Sequence, residues 1–169
     1  MKKALLFLML LGFASPCFAT AYYAPKKEMI QKAECIIIVE ITKVEKAEKK
    51  GKPWTYSQKA SATVKQCLKG DVKGEIEIYG MENFICAQCR YKKGDFILFL
   101  RKREGFWVGS NWHLGIRPVK EDKAQWFKDD ETRFEMKETP LADVIKEIDA
   151  VIEEQKKETP SKPDAGDGK

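Results

Sequence analysis

Cys86-Ala87-Gln88-Cys89 is the stretch of this 169-residue chain whose residue types and spacing suit thiol chemistry. A C-x-x-C pair works as a thiol–disulfide redox site when its first cysteine opens a helix, whose N-terminus stabilises the thiolate. Here the motif runs into Arg90-Tyr91-Lys92-Lys93-Gly94 and then into an apolar strand pattern. No helix is expected to start there, and only Arg90 and Lys92 are placed to lower a thiol pKa. A structural disulfide, within the motif or to another strand, is the better reading. Zinc would need four ligands. Cys86, Cys89 and the single histidine, His113, make three, and no second C-x-x-C exists, so no metal site is expected. There is no G-x-S-x-G and no glycine-rich phosphate loop. Neither a catalytic residue nor a cofactor is expected.

How the cysteines are read depends on the first 21 residues. Met1-Lys2-Lys3 precedes the apolar run Ala4-Leu5-Leu6-Phe7-Leu8-Met9-Leu10-Leu11, and Pro16 precedes the small residues of Ala19-Thr20-Ala21. A basic start, a short apolar core and a small-residue cleavage site predict a secretory signal peptide. The run is shorter than the roughly 20 apolar residues that a bilayer span requires. Cleavage after Ala19 or Ala21 removes Cys17 and leaves Cys35, Cys67, Cys86 and Cys89. An even number of cysteines in an exported chain predicts disulfides, with three possible pairings. Cys35 and Cys67 are equally distant from Gly51, so a hairpin centred there sets them opposite each other. Matching the apolar positions Ile37, Val39 and Ile41 to Val64, Ala62 and Ala60 shifts the register by one. That puts the two cysteines on opposite faces unless a bulge restores the match.

Lys and Arg number 31 against 26 Asp and Glu. Losing Lys2 and Lys3 lowers the formal charge from +5 to +3. The charges are interspersed, without the one-sided basic stripe of a nucleic-acid binder.

The elements that must carry these residues are mostly strands. Residues 26–34 predict a short helix, with Met29, Ile30 and Ala33 at helical spacing. Cys35–Ile41 is β-branched and apolar on both faces at first, which predicts a strand buried on two sides. The charged segment Glu45–Pro53 is expected to be a solvated loop. Residues 54–68 and 75–79 predict further strands, the second ended by Gly80. Residues 80–93 are expected to be irregular. Residues 96–100 predict a central strand, and 106–108 a short fifth. Residues 109–138 read as mixed, with one strand near 114–119 and loose structure around Trp126-Phe127. A closing helix over 140–156 carries the stripe Leu141, Val144, Ile145, Ile148 and Ile152, capped by Thr139 with Pro140 in its first position. From residue 158 onward the composition predicts disorder.

Short strands with turn signals between two helices predict a mainly β fold, a small five-stranded closed β-barrel whose end the amphipathic helix covers. Three stretches carry a family likeness. Ala33–Val44 resembles the first strand of bacterial relatives of the netrin module, the tissue-inhibitor-of-metalloproteinases-like OB-fold domains. Val64-Lys65-Gln66-Cys67-Leu68-Lys69-Gly70 is similar to the end of their second strand, and Lys92–Leu100 to a later strand that opens with glycine. The resemblance covers roughly residues 26–120 and implies an OB fold that binds partners through loops and strand faces. In the animal inhibitors the mature chain begins with a cysteine that chelates the protease zinc and is bonded to a later loop cysteine. Cys17 is the only counterpart of the first and Cys86 sits in a similar loop. A cut directly after Pro16 is implausible, so inhibition by that route is not expected.

These readings combine into an expectation of three parts: a signal peptide over 1–21, a netrin-like OB domain with its C-terminal helix over 22–157, and a tail over 158–169. The expected role is that of an exported, periplasmic or secreted, non-catalytic interaction module with protein partners, no nucleic acid and no membrane anchor after cleavage. The alternative is a periplasmic thiol-redox or metal-handling protein using Cys86 and Cys89. Trp107, Trp112, His113 and Trp126 are the candidate binding surface, because aromatic side chains near a barrel mouth often line one. Cys35, Cys67, Cys86 and Cys89 are the disulfide candidates.

Overall fold

The apolar run that follows Glu34 sits at the centre of the molecule. In the computed structural model, which describes residues 21–84, 86–131 and 134–158, it opens strand β1 (Cys35–Lys50). Alternate side chains of β1 serve two different cores. Cys35, Ile37, Val39 and Ile41 pack with Ala60, Ala62, Ile78, Leu98 and Leu100. Ile36 and Ile38 pack on the other side with Ile97, Phe99, Trp126, Val144 and Ile148. A β-branched residue at almost every position is what such two-sided burial demands.

The remaining strands are β2 (Tyr56–Lys69), β3 (Glu75–Glu82), β4 (Gly94–Arg103), β5 (Phe106–Gly109), β6 (Ile116–Lys120), β7 (Lys123–Phe127) and β8 (Met136–Pro140). Five of them close on themselves. β1 pairs with β2, β2 with β3, and β4 with both β5 and β1, all antiparallel. β3 meets β5 in parallel, Ile78 opposite Trp107 and Tyr79 opposite Val108. The first core fills this ring. The far edge of β4 is shared: Leu100–Arg103 pairs with β5, while Asp95–Leu98 pairs with β6. From β6 the chain continues as the meander β6–β7–β8.

The second core lies outside the ring, where α1 (Lys26–Lys32), α2 (Leu141–Glu158) and β7 cover the outer faces of β1 and β4. The closing helix therefore covers a side of the ring and not its end, because Ile36, Ile38, Ile97 and Phe99 offer the apolar surface there. Lys26 fastens this layer. It pairs with Glu147 of α2 and, at 3.0 Å, with Asp130. Burial pulls its pKa down, but the two carboxylates more than offset this and the net shift is upward. Lys69 donates to the carbonyls of Ile30 (3.0 Å) and Gln31 (2.7 Å), satisfying the C-terminal end of α1.

Several sequence expectations are corrected. The segment expected to be a loop from Glu45 is strand as far as Lys50, paired to Tyr56 as an overhanging ribbon. Ion pairs across this ribbon and into β3, from Lys59 to Glu45 and Glu77, stand in for an apolar face. Gly80 does not end β3, which runs on to Glu82. Trp126 and Phe127 are not loose: they belong to β7 and are 1% and 2% exposed. Pro140 closes β8, and the buried Thr139 hydroxyl finds no hydrogen-bond partner, so it does not cap α2. The first amide of α2, on Leu141, instead donates to Asp122 O at 2.8 Å, from the β6–β7 turn. Glu158 is the last residue of α2. The proposed leader and the rest of the tail lie outside the described residues, apart from Ala21. Among the described residues no helix is long and apolar enough to cross a membrane.

Candidate binding surface

The chain before α1 is held against the turn after β5 by a reciprocal pair of hydrogen bonds. Ala24 N donates to Asn111 Oδ1 at 2.7 Å, and Asn111 Nδ2 donates to Ala24 O at 3.0 Å. Trp112 Nε1 donates to Tyr22 O at 3.2 Å. Asn111 and Trp112 both adopt left-handed backbone (φ 62° and 54°), which turns the chain sharply into the 3-10 turn Trp112–Gly115. That turn presents Trp112 and His113 beside the N-terminal segment.

Two rows of rings meet there. Trp112 stacks on Phe84 with centroids 5.2 Å apart, and Phe84 lies 4.9 Å from Trp54. His113 meets Tyr23 edge-on at 5.3 Å, and Tyr23 meets Phe134 at 5.4 Å. Tyr22 and Phe134 are 58% and 62% exposed. Beside them lies a cleft of about 490 Å³, lined by Tyr22, Trp112, Asn111, Glu34, Lys32 and Arg101 among others. Burial, followed by the Arg117 charge, lowers the His113 pKa, so its ring is neutral at neutral pH.

Of the four residues expected to line a binding surface, Trp112 and His113 come together here. Trp107 lies apart, half-buried under the Lys102 ammonium at 5.2 Å. Trp126 is corrected outright. It is stacked on Phe99 in the outer core, donates Nε1–H to Glu147 Oε2 at 2.7 Å, and is unavailable to a partner. Tyr22, Tyr23, Phe84 and Phe134 were not expected. They stand in segments without periodicity, where a lone aromatic residue carries no pattern.

Beneath the surface, Cys89 and Tyr91 enter the ring between two glycines. A Cβ on Gly80 would come within 2.5 Å of Cys89 O, and one on Gly109 within 2.1 Å of Cys89 Sγ. Only glycine at both positions lets the segment pass this close. Cys89 N donates to Glu82 Oε2 at 2.6 Å and its thiol donates to Trp112 O at 3.2 Å. Burial, reinforced by the Glu82 carboxylate, pushes the Cys89 thiol well up. An attacking thiol needs the opposite environment. Arg90 is engaged with Gln88 Oε1 at 2.9 and 3.1 Å, not with a thiol.

A scan of protein-family models and a search of curated proteins gave no match. The four cysteines must therefore be judged from their geometry. All four are free thiols in this structure. Cys86 is exposed while Cys89 is wholly buried, so the two ends of the C-x-x-C face different surroundings and are not bonded. Among the described residues no three His, Cys, Asp or Glu side chains gather as a metal-binding set.

Glu82, 2% exposed, gives a pH test of this region. Burial raises its carboxyl pKa above the usual 4.5. The folded state thus holds that proton more tightly than the unfolded chain. The contribution to stability is complete below pH 4.5 and is lost as pH rises through the folded value. Glu82→Gln keeps an acceptor for Cys89 N–H and cannot ionise. In thermal melts from acid to neutral pH, Glu82→Gln should gain steadily on the parent chain. A parallel pH dependence in both would refute the buried carboxyl.

Proposed function

We propose that this chain is an exported, non-catalytic interaction module of the netrin-like OB type, which binds a protein partner through the Tyr22–Tyr23–Phe84–Trp112–His113–Phe134 surface. The order β1-β2-β3-β5-β4 closing back on β1, with β3 and β5 parallel, supports an OB-like barrel. The observation that carries the binding role is the partly exposed aromatic cluster, in which Tyr22 and Phe134 are more than half exposed. Clustered aromatic side chains with polar tips are the usual centre of protein interfaces. The even number of cysteines left after the expected cleavage and the basic, apolar leader support export.

The test is site-specific photo-crosslinking in the native compartment. A crosslinker at Phe134 or Tyr22 should capture one discrete partner, and the same group at exposed Lys73 should not. Trp112→Ala combined with Tyr23→Ala should cut the adduct about tenfold or more, the scale of a hot-spot loss. Equal capture at Lys73, or adducts insensitive to the double substitution, would sink the reading.

A further inference from the structure

Cys35 is the first residue of β1 and Cys67 lies near the end of β2. The register between the strands shifts three times along the apolar half of the hairpin: at Ile36/Ile37, Ile38/Val39 and Ile41/Lys43. Val39 stands opposite Val64, but Ile37 stands opposite Cys67 and Ile36 opposite Lys69. The bulge at Ile38/Val39 thus returns Cys67 to the inner face, where Cys35 and Ile37 also point. Gly70, with φ +90°, lets the end of β2 close on the start of β1. A Cβ there would lie 3.5 Å from Cys35 Cβ and 3.1 Å from Glu34 O. The Cys67 thiol donates to the carbonyls of Lys69 (3.3 Å) and Gly70 (3.5 Å), in the same turn whose Gly70 lies against Cys35. Neither of the other two cysteines takes part in this arrangement: Cys89 is committed to Trp112 O, and Cys86 is out in solvent beside Tyr23.

The geometry points to a Cys35–Cys67 disulfide as the covalent modification that this fold accepts, with Cys86 and Cys89 remaining outside it. It goes beyond the binding role and is independent of it. Formation needs an external disulfide as the oxidant. Cys67, half-exposed, loses its proton to water and attacks one sulfur of that disulfide; the external S–S bond breaks and a thiolate leaves. Cys35 then loses its proton and attacks Cys67 Sγ. The mixed S–S bond breaks, the protein disulfide forms and the second thiolate leaves. The oxidant is reduced to two thiols. Burial, and then the neighbouring Cys67, pushes the Cys35 thiol up to about 12, so the closing step waits on its deprotonation. The closing rate should therefore rise about tenfold per pH unit between pH 7 and 9.

The purified full chain is equilibrated in mixtures of glutathione and glutathione disulfide, quenched by acid and alkylation, and mapped by mass spectrometry. The expected product joins the Cys35 peptide to the Cys67 peptide and forms faster at higher pH. Cys86→Ser and Cys89→Ala should both retain it. The oxidised chain should melt about 10 °C higher than the reduced one, as closing a loop of this length predicts. The inference is overturned if Cys67 stops at a glutathione adduct at every pH, if either cysteine bonds Cys86 or Cys89 instead, or if oxidation lowers the melting temperature.

Discussion

Replacing Trp126 with alanine should destabilise the fold by about 3–5 kcal/mol, the range for deleting a buried indole. Trp126 is 1% exposed and holds three elements together. It stacks on Phe99 of β4 with centroids 6.1 Å apart, meets Phe127 edge-on at 5.3 Å, and hydrogen-bonds Glu147 of α2. Its loss opens a cavity between the ring and its helical cover, and also frees one acceptor of the carboxylate that pairs with Lys26. Trp126→Phe keeps most of the packing and drops the indole donor, so its cost should be nearer 1–2 kcal/mol, roughly one hydrogen bond to a charged group. Trp107→Ala serves as the control, since that ring is half-buried and half covered by Lys102. Denaturant titrations rank the three. If Trp107→Ala costs as much as Trp126→Ala, the outer core has been misjudged.

The second large effect is expected at Gly109. Its alanine variant would place a methyl group 2.1 Å from Cys89 Sγ, far inside van der Waals contact. Cys89 cannot swing away, because it is wholly buried with Gly80 behind its carbonyl. Overpacking of this kind costs about 1–3 kcal/mol. Cys89→Ala removes the clashing sulfur and leaves its Cβ 3.2 Å from the new methyl, a tight but tolerable contact. The double variant Gly109→Ala with Cys89→Ala should therefore be more stable than the sum of its two single costs implies. The double-mutant cycle should show a favourable coupling of about 1 kcal/mol or more. Strict additivity would mean that Cys89 does not occupy the gap between Gly80 and Gly109.

Both effects arise where the sequence was hard to read. The two-sided burial of Cys35–Ile41 and the stripe of α2 are strong periodic signals, and both elements form as expected. β7 is five residues, Lys123-Ala124-Gln125-Trp126-Phe127, and β8 is Met136-Lys137-Glu138-Thr139-Pro140. Each is too short and too polar for alternation to stand out, and both exist because β6 offers an edge to continue. The ribbon beyond Ile41 is misread for a related reason. Its charges lie on both faces, since the partner strand and its ion pairs, not an apolar core, keep it extended. At the binding surface, Trp112 and His113 were legible as aromatic residues near strand ends. Tyr22, Tyr23 and Phe84 join them only through tertiary contact, which no local pattern records. Glu82 fell in the stretch beyond Gly80 that was expected to be irregular, and gave no sign that it would end β3 or that its partner would be the backbone amide of Cys89.

The pairing of β1 with β4 fixes the order in which the molecule can assemble. Cys35 lies opposite Leu100 and Ile41 opposite Gly94. A strand apolar on both faces thus waits for a partner about 60 residues downstream, a long-range contact of the kind that slows folding. As the chain emerges from its N-terminal end, β1 and β2 can zip into a hairpin, yet the second edge of β1 stays open until β4 follows. During that interval Ile36, Ile38 and their neighbours are exposed beside an unpaired strand edge, which invites self-association. The closed ring leaves no such edge on the apolar Cys35–Ile41 half of β1, so the hazard belongs to the newborn chain and ends when β4 docks.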